Sequence, residues 1–232
     1  MKILFISLGC DKNLADSEEM LGLLTGNGHE IVDSEEEADA IVINTCCFIH
    51  DAKEESVNTI LEMAEYKKTG TCKILIVTGC MAQRYKEEIT EEIPEVDAVL
   101  GTTSYGDIVK ALNEAEAGHV FREFKDINAL PEDSGRRVIT TGGHFGYLKI
   151  AEGCDKHCTY CIIPSLRGKF RSVPEERLLK QAEYMASQGV RELILVAQET
   201  TVYGTDLYGK KTLHILLKKL CQIKGIRWIR VL

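Results

Sequence analysis

Residues 40–44 read Ala-Ile-Val-Ile-Asn and residues 73–78 read Lys-Ile-Leu-Ile-Val-Thr, two short runs that are apolar apart from their ends. A strand with one wet face alternates apolar and polar residues. A run that is apolar throughout is covered on both faces, as strands of parallel sheets are. Working outward, Lys2–Ser7 is a third such run and Asp97–Leu100 a fourth. Helical patterns fall between them. Asp16-Ser-Glu-Glu19 supplies a capping residue and early acids before Met20, Leu21, Leu23 and Leu24, and Gly26-Asn-Gly28 stops that helix. From Asp51 to Lys68 the stripe Val57, Ile60, Leu61 and Ala64 predicts a long helix. A polar helix is expected around Arg84–Glu92 and another over Tyr105–Ala117. Strand and helix alternate, so residues 1–140 are read as an α/β domain built on a doubly wound parallel sheet.

The pattern changes after residue 117. Short β pieces are expected at His119–Phe124 and Val138–Thr141 around the polar stretch Asp126–Arg137, and Gly142-Gly143 reads as a hinge. A second βα series follows: strand Tyr147–Ala151, a cysteine-bearing loop, a helix from Pro174 to about Ser187, strand Glu192–Ala197, helix Thr212–Ile223 and strand Arg227–Leu232. Charge divides at the same place. Residues 1–140 carry 13 Lys and Arg against 28 Asp and Glu, while residues 141–232 carry 15 against 8. Domains 1–140 and 141–232 are the simplest account. The acidic surplus reads as solvated helix faces, or as a face that attracts a basic partner. Three strands and two helices cannot close a barrel, so the second series is expected to belong to a longer protein.

Composition excludes several classes. Hydrophobic residues make up 44% and charged residues 28%, an ordinary globular balance. The longest apolar runs, such as Leu193–Ala197, are too short to span a bilayer. Asp11 and Lys12 end the first apolar run before any cleavage site, which argues against a secretory signal. A reducing cytoplasm is therefore expected, and nine cysteines, an odd number, point to metal rather than to disulfides.

Their positions sharpen this. Cys10, Cys46 and Cys80 each follow a predicted strand. In a parallel sheet the carboxyl ends of the strands lie along one edge, where ligands bind, so topology alone brings the three thiols to one edge. Single buried cysteines pack well as small hydrophobes; three at equivalent strand ends point to a metal or a cluster. The second set is closer in sequence: Cys154-Asp-Lys-His-Cys158-Thr-Tyr-Cys161, a CxxxCxxC loop directly after a strand. Three thiolates converge there and one coordination position lacks a nearby cysteine. Zinc would take His157 as its fourth ligand; a four-iron cluster leaves one iron open. Soft thiolates suit both.

Cys154, Cys158 and Cys161 with the aromatic Tyr160 match the radical S-adenosylmethionine signature, and the wider setting resembles the methylthiotransferase family. The residues that carry the resemblance are Leu8-Gly-Cys10-Asp-Lys-Asn-Leu-Ala-Asp-Ser-Glu18, Asn44-Thr-Cys46, Thr78-Gly-Cys80-Met-Ala-Gln-Arg84, Glu152-Gly-Cys154 and Pro164-Ser-Leu-Arg-Gly168. They extend over nearly the whole chain. The Lys-Asn after Cys10 and the Ile-Ile-Pro-Ser-Leu-Arg-Gly run are similar to the branch that modifies an aspartate of a ribosomal small-subunit protein.

The resemblance implies two four-iron clusters, one on each cysteine trio. It implies S-adenosylmethionine bound at the open iron of the Cys154 trio and an external electron donor. A deoxyadenosyl radical would then remove hydrogen from an unactivated C–H, and the Cys10 trio would deliver the methylated sulfur. It also implies the start of a partial (β/α) barrel, with further parts beyond Leu232. Gln198 and Glu199 stand where the family contacts the cofactor, with Glu199 as acceptor for its ammonium and Arg167 as a candidate for its carboxylate. Val173 departs from the pattern, which has Arg before the Pro. Cys47, Cys72 and Cys221 read as packing residues, and His157 as solvent-facing. Two other classes remain: a tRNA methylthiotransferase, which needs a basic surface along the phosphates, and a non-catalytic zinc or iron–sulfur module.

Overall fold

The computed structural model describes residues 1–132 and 135–232 and divides into two compact units, Met1–Arg137 and Val138–Leu232. In the first unit the chain runs β1 (Lys2–Ser7), α1 (Asp11–Gly26), β2 (Glu30–Val32), β3 (Ala40–Thr45), α2 (His50–Thr69) and β4 (Ile74–Gly79). It continues through α3 (Cys80–Arg84), α4 (Lys86–Glu92), β5 (Ala98–Leu100), α5 (Ile108–Glu116) and β6 (Phe121–Glu123). All six strands are parallel, in the order β2-β1-β3-β4-β5-β6. The doubly wound reading therefore holds.

The apolar runs are buried on both faces because helices cover both. Alternate residues Ile3, Ala40, Val42, Ile74 and Ile76 pack with Met20 and Leu24 of α1 and with Ile108 and Leu112 of α5. The intervening Ile41, Ile43, Leu75 and Val77 are equally buried, and α2 packs on β3 and β4 with Ile60, Met63 and Ala64.

Three expectations need correction. Helix α1 starts at Asp11, directly after Cys10, rather than at Asp16. The acids expected to cap its start lie in its interior and are buried. Glu18 is fully buried and takes both Nε and Nη2 of Arg137, at 2.8 and 2.6 Å, while Glu19 accepts from the Tyr105 hydroxyl at 3.2 Å. Specific partners outweigh the capping preference of Asp16-Ser-Glu-Glu19. Strand β2, a short edge strand, had no apolar run to announce it. Val138–Thr141 is not a strand. Of the polar stretch 126–137, Asp133 and Ser134 lie outside the described residues, while Arg136 and Arg137 pack on α1. A Cβ on Gly22 would come within 2.7 Å of the backbone of both.

The second unit runs β7 (Phe145–Lys149), β8 (Ala151–Glu152), α6 (Ile163–Arg167), β9 (Arg171–Ser172) and α7 (Glu175–Ser187). Then come β10 (Glu192–Val196), α8 (Thr205–Tyr208), α9 (Leu213–Leu220) and β11 (Trp228–Val231). Strands β11-β10-β7 form a parallel sheet, and β8 and β9 form a separate antiparallel pair. Helix α7 buries Leu178, Ala182, Met185 and Ala186, the spacing of one helical face. Among the described residues, no helix is long and apolar enough to cross a membrane.

Candidate functional site

The strand order places the first trio. From β1 the chain goes to β2 on one side and to β3 on the other, so the topological switch point lies between β1 and β3, where open α/β sheets bind ligands. Cys10 follows β1 and opens α1, Cys46 follows β3, and Cys80 follows β4 as the first residue of α3. Cys10 is exposed; Cys46 and Cys80 are buried. Gly9 stands at φ +95°, and a Cβ there would lie 2.7 Å from Cys46 Cβ and 3.0 Å from its Sγ. Only glycine allows the β1–α1 turn to approach Cys46 this closely. Ser56 of α2 fixes Cys46 from the other side: the Cys46 N–H donates to Ser56 Oγ at 3.0 Å, and that hydroxyl donates to the Cys46 carbonyl at 2.8 Å. Among the described residues no disulfide forms, and no three His, Cys, Asp or Glu side chains already cage an ion.

The second trio sits on the loop between β8 and β9. Its neck is closed by the Cys154 N–H donating to the Gly168 carbonyl at 3.1 Å, and by the Phe170 N–H donating to Asp155 Oδ1 at 3.0 Å. Within the loop the Cys161 N–H donates to the Cys158 carbonyl at 3.0 Å. Cys154 and Cys161 are half-buried and Cys158 is exposed. A cavity of about 200 Å³ opens beside the loop, lined by Cys154, Asp155, Lys156, Phe170, Glu199 and Val202 among others. Glu199 thus faces the same space as Cys154. Its carboxylate is engaged by Lys156 and by the Thr201 hydroxyl, which hold it below its ordinary titration range.

Residues 2–101 match the model of the Uncharacterized protein family UPF0004, and residues 148–231 match the Radical SAM superfamily. The chain is 66% identical over 231 residues to the ribosomal protein uS12 methylthiotransferase RimO of Lachnoclostridium phytofermentans, covering all of this chain and 52% of that protein. It is 51% identical over 232 residues to the protein of the same name from Clostridioides difficile, with the same coverage. The chain is thus similar over its whole length to ribosomal protein uS12 methylthiotransferases, and its second part matches the Radical SAM superfamily. It spans about half the length of the curated relatives it matches. Among solved structures, the radical S-adenosylmethionine methyltransferase TsrM from Kitasatospora setae, with cobalamin and a 4Fe-4S cluster bound, superposes with a TM-score of 0.61 at 12% identity. The match covers 98% of this chain and 53% of that one, and at this identity the likeness is one of fold.

The remaining candidates divide. Gln198 and Glu199 follow β10 as expected. Arg167 does not line the cavity: it is buried, with Nη1 3.5 Å from Glu152 Oε2. Tyr160 is 90% exposed, and His157 is exposed as expected. Val173 is a core residue whose carbonyl accepts from the buried Tyr203 hydroxyl at 2.9 Å. Cys47 and Cys72 are buried packing residues. Burial and then the neighbouring Cys80 push the Cys47 thiol up to about 12, so it stays protonated. Cys221 is exposed, so the packing reading fails there: it lies just past the end of α9, off the buried face of Leu216 and Leu220.

Several supporting residues escaped the sequence reading. Lys149, Glu152 and Arg167 form a buried charged group at the base of the second cysteine loop. Burial alone would raise the Glu152 carboxyl, but Lys149 and then Arg167 outweigh it and hold it at about 2. Two charges inside Leu148-Lys-Ile-Ala-Glu152, an otherwise apolar run, were the available signal, since charges in such a place need partners. Ser56 lies on a helix and left no comparable mark, while Asn13 stood in the Lys-Asn pair after Cys10 without any sign of its hydrogen bonds.

Proposed function

We propose that the whole protein is a radical S-adenosylmethionine methylthiotransferase that replaces a C–H of an aspartate in a ribosomal small-subunit protein with C–S–CH3. It would act in the cytoplasm with an external electron donor. The observation that carries this reading is the pairing of two separate trios. Cys10, Cys46 and Cys80 follow strands at one edge of a parallel sheet, and Cys154, Cys158 and Cys161 share a loop whose Cys154 lines a cavity with Glu199. Three soft thiols per site suit a four-iron cluster with one iron left for another ligand.

Cys154, Cys158 and Cys161 would hold one cluster, and Cys10, Cys46 and Cys80 the other. Such a cluster with S-adenosylmethionine supplies the carbon radical that removes hydrogen from a carbon no side-chain base can deprotonate. The chain's own residues bind and orient. Glu199 accepts a hydrogen bond from the ligand's ammonium once Lys156 releases it, and Gln198 adds a polar contact beside it. Arg167, buried against Glu152, steadies the neck of the loop rather than touching the ligand.

Anaerobic reconstitution with iron and sulfide tests this on the wild type and two triple Cys→Ala variants, one for each trio. About eight irons per chain, falling to about four in either variant, is the expected result. One zinc lost only with the second trio would overturn it. Incubation of the reconstituted whole protein with ribosomal protein uS12, S-adenosylmethionine and a reductant should add one methylthio group, read by mass spectrometry.

A further inference from the structure

We infer that Asn13 is a positioning residue for the Cys10, Cys46 and Cys80 centre, its side-chain amide holding the three cysteine-bearing strand ends in one arrangement. The inference rests on the proposed reading of that trio as a cluster site.

Asn13 is fully buried on the first turn of α1. Its Nδ2 donates to the Leu8 carbonyl at 3.0 Å, two residues before Cys10, and to the Thr45 carbonyl at 2.9 Å, the residue before Cys46. Its Oδ1 lies 3.8 Å from Cys80 Sγ, which donates to it as a thiol. Its own backbone carbonyl accepts from Asn44 Nδ2 at 2.9 Å, and Asn44 also precedes Cys46. One amide therefore touches all three strand ends that carry the thiols, from β1, β3 and β4. The missing side chain of Gly9 keeps the space open: a Cβ there would press to 3.2 Å from Asn13 Nδ2 as well as on Cys46.

A buried amide costs stability unless its hydrogen bonds are made, so packing alone would favour an apolar residue here. The side-chain bonds of Asn13 to Leu8, Thr45 and Cys80 all fall within two residues of a cysteine of the trio. Both amide protons are used on backbone carbonyls, which fixes the direction of Oδ1 and with it the approach of Cys80. When Cys80 gives up its proton to bind iron, the two Nδ2 bonds remain and hold the β1 and β3 ends in register. Groups that orient metal ligands in this way typically control affinity by about 10- to 100-fold.

The test uses the whole protein in a background where Cys154, Cys158 and Cys161 are Ala, so that only the first trio binds iron. Asn13→Ala removes the amide; Asn13→Asp keeps its shape but turns the two-proton donor into an acceptor facing two carbonyl oxygens. Both apoproteins should keep the wild-type circular dichroism. After reconstitution with iron and sulfide, both should lose iron to a chelator about 10- to 100-fold more readily than the parent. The electron paramagnetic resonance spectrum of the reduced centre should shift in whatever fraction remains loaded. Parent-like iron retention with an unchanged spectrum overturns the inference, even if the variants melt at lower temperature. Loss of the fold itself in both apoproteins overturns it too, because Asn13 is then a strut of the core. A parent that binds no iron on this trio overturns the cluster reading, and the two failures are thereby distinguished.

Discussion

Glu152 and Arg167 face each other at 3.5 Å in the interior of the second unit, one on each limb of the loop that carries Cys154, Cys158 and Cys161. Lys149, also buried, pairs with the same carboxylate. The loop is thus clamped at its base by charge, with the Cys154-to-Gly168 backbone bond beside the clamp.

That clamp has a pH signature. Glu152 titrates at about 2 in the folded chain against an ordinary 4.5. On acidification the unfolded chain takes up this proton first. The stabilisation is complete above the ordinary value and drains away as pH falls from about 4.5 to about 2. Glu152→Gln should flatten this part of the stability–pH curve. At neutral pH it should destabilise the unit by about 3–5 kcal/mol, because it strands buried cations. Thermal unfolding followed by circular dichroism over a pH series checks both effects.

In the first unit, Arg137→Met leaves Glu18 fully buried without that guanidinium. The expected loss is about 3–5 kcal/mol, whereas replacing both partners with Glu18→Leu and Arg137→Met should recover much of it, since a well-packed apolar pair often matches a buried ion pair. Urea unfolding of the single and double variants decides the point. Equal losses in the two would contradict it.

Gly9→Ala forces a side chain onto a residue at φ +95° and within 2.7 Å of Cys46 Cβ. Strain of this kind costs about 1–3 kcal/mol. Relief comes only by moving the Cys10 turn away from Cys46. The iron held by the first trio should fall while that on Cys154, Cys158 and Cys161 stays, read by iron analysis of the reconstituted variant.

Lys156 and Glu199 close on each other across the cavity beside Cys154. If Glu199 is the acceptor for the ligand's ammonium, Glu199→Gln should weaken S-adenosylmethionine binding about tenfold, the value of one hydrogen bond to a charged group. Lys156→Ala, which removes the competitor, should leave binding equal or tighter. Equilibrium dialysis with the reconstituted whole protein measures both, and weaker binding in Lys156→Ala would refute the competition.

Most of the architecture was legible before any coordinates. Four apolar runs located four of the six parallel strands, and helices and turns were read from spacing and glycines. What escaped was short or polar: β2, β6 as a parallel partner of β5, and the true start of α1. The site divided in the same way. The positions of the six cysteines in the fold were readable because strand ends in a parallel sheet share an edge, and because CxxxCxxC is a local spacing.

The sequence by itself determined the doubly wound sheet and the place of Cys10, Cys46 and Cys80 at its strand ends, because strand burial and cysteine spacing are written along the chain. Only the tertiary structure decided how the buried polar residues pair. Asn13 reaches Thr45 across 32 positions, Glu18 reaches Arg137 across 119, and Arg167 turns inward to Glu152. A buried polar group takes whatever partner the fold brings within hydrogen-bonding distance, and distances between remote segments exist only once the chain has folded.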